Sequence, residues 1–279
     1  MNTSDGLEVL NADAKNSLSA SPPPSDESIQ AGKFEVRFAN SQSEVQGAQA
    51  LRYRTLFLEH GGRVTDNMLE TGREEDPLDD VAHHVIVIDR EQAHHPVVGT
   101  LRLVSNMALS TDQRFYTEQA YNIDCLRSRY KKLLELSRFC IDPEGRSGAI
   151  LKLIWKFTLQ FIITERFELM LGCASFPGTD TTTHQSILSY LYANNLAPKE
   201  LRATAIANNQ VRIDSFLSED ADWKDAKRSV PTLLRGYLKM GAKITDTAII
   251  DPVFNTVFVG IYVDARDMVM QNNGLTQNS

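Results

Sequence analysis

The sequence predicts an α/β protein built on one mixed sheet flanked by helices. Three observations carry that expectation. Residues 84–89 and 97–104 are apolar runs joined by a polar connection containing Pro96, the pattern of an antiparallel hairpin. Residues 168–175 (Glu-Leu-Met-Leu-Gly-Cys-Ala-Ser) form a near-continuous apolar run, as in a strand covered on both faces. Strand-like and helix-like segments then interleave, which argues for antiparallel and parallel pairing in the same sheet.

At the N-terminus, residues 1–33 hold no aromatic residue and include Ser-Ala-Ser-Pro-Pro-Pro-Ser at 19–25. Such a stretch cannot bury enough apolar area to offset its ordering entropy, so a disordered tail is expected. Residues 34–38 alternate as a short strand. A helix is expected over 43–60, with Val45, Ala48, Leu51, Leu56 and Leu58 on its apolar side and Gly61-Gly62 ending it. Residues 63–80 are polar and acidic and read as a loop or short helix. After the hairpin, 133–141 is a strand stopped by Asp142-Pro143, and 148–167 is a helix with a wide apolar face. Helices are expected near 184–194 and 231–240, with a strand starting at Lys243-Ile244 and a last strand at 256–263 after the turn Asp251-Pro252. The expected organisation is one domain over 34–266, with a C-terminal tail at 267–279.

Charge and composition exclude several classes. With 29 Lys+Arg against 36 Asp+Glu, the net charge is −7, the wrong sign for a general nucleic-acid coat. The longest apolar run, 149–167, carries Lys152, Lys156, Glu165 and Arg166, so a membrane-spanning helix is not expected. No basic stretch leads into an apolar one near the N-terminus. Cys125, Cys140 and Cys173 form no CxxC pair and no metal-type spacing with His. A reduced, cytoplasmic protein without a metal is the expectation. His83-His84 and His94-His95 read as surface pairs, and His184 as a capping or core residue.

Three segments could carry chemistry: 51–57 with Arg52; 74–80 and 97–103 with Asp76, Asp79 and Arg102; and 134–139 with Glu135, Ser137 and Arg138. The spacing of Asp76 and Asp79 lets both carboxylates point one way on a helical turn. They would hold a cationic substrate, pair with Arg52 and Arg102, or simply form a solvated surface. Glu135 and Arg138 sit inside an apolar strand, where charges are expensive unless paired or exposed in a cleft. Glu135 is then either half of a buried ion pair with Arg138 or a general base with a raised pKa. An ideal strand sends the two to opposite faces, so a shared site requires a bulge between them.

Glu-Leu-Ser-Arg-Phe at 135–139 resembles the Glu-x-Ser-Arg-Phe motif of acyl-homoserine-lactone autoinducer synthases, GNAT-like acyltransferases that draw on acyl carrier protein. Asp76 and Asp79 match their paired acids, Arg52 their N-terminal Arg and Arg102 their strand Arg. Gly61-Gly62 stands where those synthases usually carry a Trp after Gly. Over about 34–264 the chain more closely resembles the L-ornithine Nα-acyltransferase family of bacterial ornithine-lipid synthesis. Arg-Tyr-Arg (52–54), Glu-Glu-Asp-Pro-Leu-Asp-Asp (74–80), Leu-Glu-Leu-Ser-Arg-Phe-Cys-Ile (134–141), Gly-Cys-Ala-Ser-Phe-Pro-Gly-Thr (172–179) and Pro-Thr-Leu-Leu-Arg-Gly-Tyr-Leu-Lys-Met-Gly-Ala (231–242) carry that resemblance.

The resemblance implies a GNAT-like fold and transfer of a 3-hydroxyacyl group from acyl carrier protein to the α-amine of L-ornithine, giving lyso-ornithine lipid. It implies Glu135 as base and Ser137 in the substrate site. Asp76 and Asp79 would hold the δ-ammonium, and Arg52, Arg102 or Arg138 the carboxylate. No cofactor is expected beyond the phosphopantetheine arm of the donor. Arg146, Ser147, Gly148 and Ala149 open the long helix, where free N–H groups suit a phosphate, although the acetyltransferase signature Gln/Arg-x-x-Gly-x-Gly/Ala is not met. The basic run Arg127, Arg129, Lys131 and Lys132 is a docking patch for the acidic carrier protein or a solvated loop. Lys152 and Lys156 either snorkel or make peripheral contact with inner-membrane lipid. Two alternatives stay open: an autoinducer synthase using S-adenosylmethionine, and a non-enzymatic lipid-surface module anchored by the 148–167 helix.

Overall fold

The computed structural model describes residues 27–93, 96–145, 148–217 and 223–266. Strand β1 (Ile29–Ala31) turns at Gly32, φ +58°, onto β2 (Phe34–Phe38). Strand β1 and the start of its turn thus fall inside the stretch 1–33 expected to be a tail. Residues 1–26 and the tail at 267–279 lie outside the described residues.

Helix α1 (Gln42–Arg52) starts at Ser41, whose hydroxyl accepts the Glu44 N–H, and continues as a π-helix over Tyr53–Glu59. Helix α2 (Asp66–Thr71) and a 3₁₀ turn (Pro77–Val81) fill the acidic stretch. Then come β3 (His83–Asp89), β4 (Val97–Ser105), β5 (Tyr121–Asn122), α3 (Asp124–Arg129) and β6 (Leu133–Ile141). Helix α4 (Gly148–Thr164), β7 (Leu169–Pro177), α5 (Gln185–Asn195), β8 (Thr204–Ala205) and β9 (Gln210–Arg212) are next along the chain. The chain continues with α6 (Trp223–Ser229), α7 (Thr232–Lys239), β10 (Lys243–Asp251) and β11 (Thr256–Asp264).

Among the described residues nine strands form one sheet in the order β1-β2-β3-β4-β6-β7-β11-β10-β9, and β5 pairs with β8 apart from it. Among the described strands of this sheet, β6 and β7 run parallel and the other neighbours are antiparallel. Alternation along β3 sorts the two faces. Val85 and Val87 join Leu101, Leu103, Leu134 and Leu136 under Ile154 and Phe157 of α4. Ile86 faces the other way and packs with Ala48 and Leu51 of α1 and with Cys140. On that same side Phe115, Tyr121 and Leu126 cover Leu133, Leu171 and Phe258.

Two irregularities interrupt the middle of the sheet. Thr100 pairs with Cys140 but Arg102 pairs with Ser137, so two steps along β4 match three along β6. The extra residue is a bulge that coincides with Arg138, which has φ +56°. It resets the alternation: Leu134 and Leu136 face α4, whereas Cys140 packs beneath α1. The second irregularity is a parting of strands. Pairing of β6 with β7 stops at Leu136 opposite Gly172, although both strands run on to Ile141 and Pro177.

Gly172 sits where the strands separate because nothing larger fits: a Cβ there would lie 2.4 Å from the Leu136 carbonyl oxygen. Gly172→Ala is expected to force the two backbones apart and to destabilise the protein by about 1–3 kcal/mol, the usual range for overpacking. Urea denaturation of parent and variant measures it.

Candidate active site

The parting of β6 and β7 opens a cavity of about 390 Å³, within the size range of small-ligand sites. Leu136, Ser137, Arg138 and Phe139 border it from β6, and Cys173, Ala174 and Ser175 from β7. Leu233, Leu234 and Tyr237 of α7 close it from one face of the sheet, while Tyr116, Phe254 and Phe258 close it from the other. The cavity therefore runs through the sheet.

Glu135 borders this cavity yet exposes no surface to water. Three donors hold its carboxylate. Oε2 accepts the Tyr116 N–H at 3.0 Å, and Oε1 accepts the Thr117 N–H and hydroxyl, both at 2.7 Å. A carboxylate offers about four lone-pair sites, so one on Oε2 stays open. Burial pushes the Glu135 carboxyl above its ordinary pKa, against the opposing pull of Thr117 and of the Arg102 charge.

Arg138 stands beside it because of the bulge. Its guanidinium lies over the rings of both Tyr116 and Phe254, 4.6 and 4.7 Å from their centroids. Its Nε donates to Glu74 at 3.0 Å and one Nη to Asp76 at 2.8 Å.

Arg52, Arg102, Glu74, Asp76 and Asp79 are occupied with one another. Arg52, wholly buried, binds Glu74 and pairs with Asp79 at 2.8 Å. Arg102, also wholly buried, meets Asp76 at 2.8 Å and Asp79 at 3.0 Å, and donates to the Ser137 hydroxyl at 3.1 Å. Gln49 adds a bond to Asp79 at 2.9 Å. Burial alone would raise the Asp79 carboxyl, but the hydrogen bonds and charge of Arg52 and the charge of Arg102 hold it well below the usual carboxylate range. Arg52, Asp76, Asp79 and Arg102 do not border the cavity. Of the roles open to them in the sequence, the structure shows the pairing: three guanidinium groups and three carboxylates neutralise one another inside the protein. Of the expected substrate-binding set, Ser137 and Arg138 reach the cavity wall.

Gly148 and Ala149 are exposed at the start of α4 and lie outside this cavity; Arg146 and Ser147 fall outside the described residues. His184 bonds the Pro177 carbonyl at 2.9 Å and takes no part in the cavity wall. Among the described residues, no group of His, Cys, Asp or Glu is arranged to hold a metal ion.

Comparison with known proteins adds a family. The Acetyltransferase (GNAT) domain family matches residues 51–156. An L-ornithine N(alpha)-acyltransferase of Brucella abortus is 35% identical over 235 residues, covering 82% of this chain and 84% of that protein. One from Rhodobacter capsulatus is 32% identical over 238 residues, covering 84% and 91%. The chain belongs to the L-ornithine Nα-acyltransferase family. It is an acyltransferase with a GNAT fold. Among solved structures, an N-acyl amino acid synthase from uncultured soil microbes aligns at 13% identity with a TM-score of 0.42, covering 85% of this chain and 94% of that one.

For this family member, sequence reasoning missed three residues at the cavity. Tyr116 lies in the unassigned stretch between β4 and β6. Asp251 reads as a turn residue before Pro252, and Phe254 as part of the same turn. Glu74, which ties Arg52 to Arg138, is visible in the sequence only as one more acid in an acidic run.

The surface expectation for His83-His84 is corrected as well. His83 packs its ring on Phe38 and Phe161. His84 is buried, and its Nε2 meets the Asp79 carbonyl at 3.3 Å. His94-His95 lie outside the described residues. Burial lowers the His84 pKa to about 4, with the Asp79 charge opposing. The unfolded chain then binds a proton that the folded protein refuses between pH 6.5 and about 4, so stability falls as pH drops through that window, by on the order of 3 kcal/mol in total. His84→Gln should flatten this slope, as read by thermal melts across pH 4–7.

Proposed function

We propose that this protein transfers a 3-hydroxyacyl group from acyl carrier protein to the α-amine of L-ornithine, giving lyso-ornithine lipid. The observation that carries the reading is a cavity running through the sheet with a buried, raised-pKa carboxylate on its wall. Two reactants can meet there from opposite faces. On the α7 side Leu233, Leu234 and Tyr237 suit an acyl chain and the phosphopantetheine arm. On the other side Glu135 and Arg138 suit an amino acid.

The amine must shed a proton to attack the thioester carbonyl carbon. Glu135 takes that proton on the open position of Oε2, directly or through one water. Burial raises its pKa, the direction that strengthens a general base. Backbone N–H groups where β6 and β7 part stabilise the oxyanion. That first proton passes on to solvent; as the C–N bond forms the nitrogen gives a second proton to Glu135, the C–S bond breaks, and Glu135 hands this proton to the departing sulfur, so the carrier's arm leaves as a free thiol. Arg138 is the guanidinium placed to hold the substrate carboxylate, since Arg52 and Arg102 are enclosed elsewhere.

The donor's docking face moves from the position expected. Arg127 pairs with Glu118 at 2.6 Å and Lys132 with Glu165 at 3.5 Å, so part of the 127–132 run is neutralised. Lys227, Arg235 and Lys239 instead border a groove of about 600 Å³ between α5, α6 and α7. Helix α7 thus shows its basic side to this groove and its apolar side to the cavity, which suits an acidic carrier delivering a chain alongside it. Lys152 and Lys156 are exposed on α4 on the same side as exposed Ile163, which supports peripheral contact with the inner membrane from the cytoplasm. Among the described residues, no helix is long and apolar enough to cross a membrane.

Purified protein given 3-hydroxyacyl carrier protein and L-ornithine should release free thiol and yield the acylated amino acid by mass spectrometry. Absence of thiol release with every basic amino acid would remove the reading. Glu135→Gln should lower kcat by about 10²–10⁴-fold, and should cost about 1–3 kcal/mol of stability because its amide faces the Tyr116 N–H. In the parent, kcat/KM should fall as pH drops through a pKa above the ordinary carboxylate range. Lys227→Glu combined with Arg235→Glu should raise KM for the carrier-bound donor and leave KM for ornithine unchanged.

A further inference from the structure

The family reading leaves one charged group of the cavity without a role. Asp251, at the end of β10, borders the same cavity as Glu135 and Arg138. Its Oδ1 accepts the N–H groups of Val253 and Phe254 at 2.8 and 3.1 Å, and its Oδ2 accepts the Tyr116 hydroxyl at 3.1 Å. All three donors are neutral. Among the described residues no Lys or Arg pairs with it, whereas Arg138 has Glu74 and Asp76. A carboxylate on the wall of a mostly apolar cavity, given hydrogen bonds but no counter-charge, favours a cationic ligand.

Tyr116 fixes where that cation would lie. Its backbone N–H binds Glu135 and its hydroxyl binds Asp251, so the two carboxylates are one tyrosine side chain apart. Arg138 stacks on the same ring. The cavity thus presents acceptor, guanidinium and acceptor around a single aromatic ring. An α-amino acid with a second amine at the end of its side chain carries the complementary set.

We propose that Asp251 binds the side-chain ammonium of the acceptor and selects diamino acids over neutral ones of the same length. This rests on the reading that Glu135 receives the α-amine proton and Arg138 the carboxylate. It gives Asp251 the role expected of Asp76 and Asp79.

The test uses the full chain and two amino acids, L-ornithine and L-norvaline, which has the same carbon skeleton without the side-chain amine. Calorimetric binding and steady-state acyl transfer are measured for the parent and for Asp251→Asn, which keeps an oxygen for the Val253 and Phe254 N–H groups. The variant should weaken ornithine binding by about tenfold or more and leave norvaline unchanged. Equal loss for both ligands, or no loss for ornithine, overturns the proposal. Asp251→Glu supplies a second arm if the Asn variant does not fold. Its longer side chain should shift preference from ornithine toward 2,4-diaminobutyrate, and an unshifted preference overturns the proposal. Ornithine binding that depends on Asp251 without thiol release would retire the acyl-transfer reading and keep this subsite. Thiol release that ignores Asp251 would do the reverse.

Discussion

The buried network of Arg52, Arg102 and Arg138 with Glu74, Asp76 and Asp79 is the constraint on which the rest of the site depends. Removing an ion from water costs several kcal/mol even after relaxation, so none of these six can be enclosed without its partners. The network joins parts of the chain far apart in sequence: α1 through Arg52, the 74–80 segment through Glu74, Asp76 and Asp79, β4 through Arg102 and β6 through Arg138. Its contribution is to register and position, since a buried ion pair is weak evidence of net stability. It also explains how Arg138 tolerates a left-handed backbone. That conformation costs roughly 1–2 kcal/mol for a residue with a Cβ. Two carboxylates and two aromatic rings hold the side chain in place.

The bulge at Arg138 links this network to the cavity. Without the extra residue, Arg138 would point toward α4 with Leu134 and Leu136, into an apolar core. With it, Arg138 shares a side with Glu135 and meets Tyr116. The same region is where β6 leaves β7. A single irregularity in the middle strand therefore brings together a carboxylate, a guanidinium and an opening through the sheet.

Much of the fold is legible in the sequence because its periodicities are strong. The β3–β4 hairpin, β6, α4 and β7 carry long apolar patterns with clear stops at Pro96, Asp142-Pro143 and Gly148. Strand β10 is legible only at its first two residues, because Thr245, Asp246 and Thr247 interrupt the apolar pattern at a register shift. Strand β1 is hidden in a stretch too polar to read as ordered. At the site, Glu135 stands out as a charge in an apolar strand. The partners of Arg52 and Arg102 are readable as one of three options, and packing alone decides among them. Tyr116 and Asp251 are not legible. Their placement arises from a contact across 135 positions of sequence, for which no local pattern exists.

The outermost strands of the sheet have a consequence of their own. β1 and β9 are each three residues long, while the inner strands β4, β6, β7, β10 and β11 have nine. Open backbone at a rim is what lets one molecule template on another, and short rims offer little of it. A wide sheet whose middle strands already part is thus guarded at its margins against fusing with its own copies.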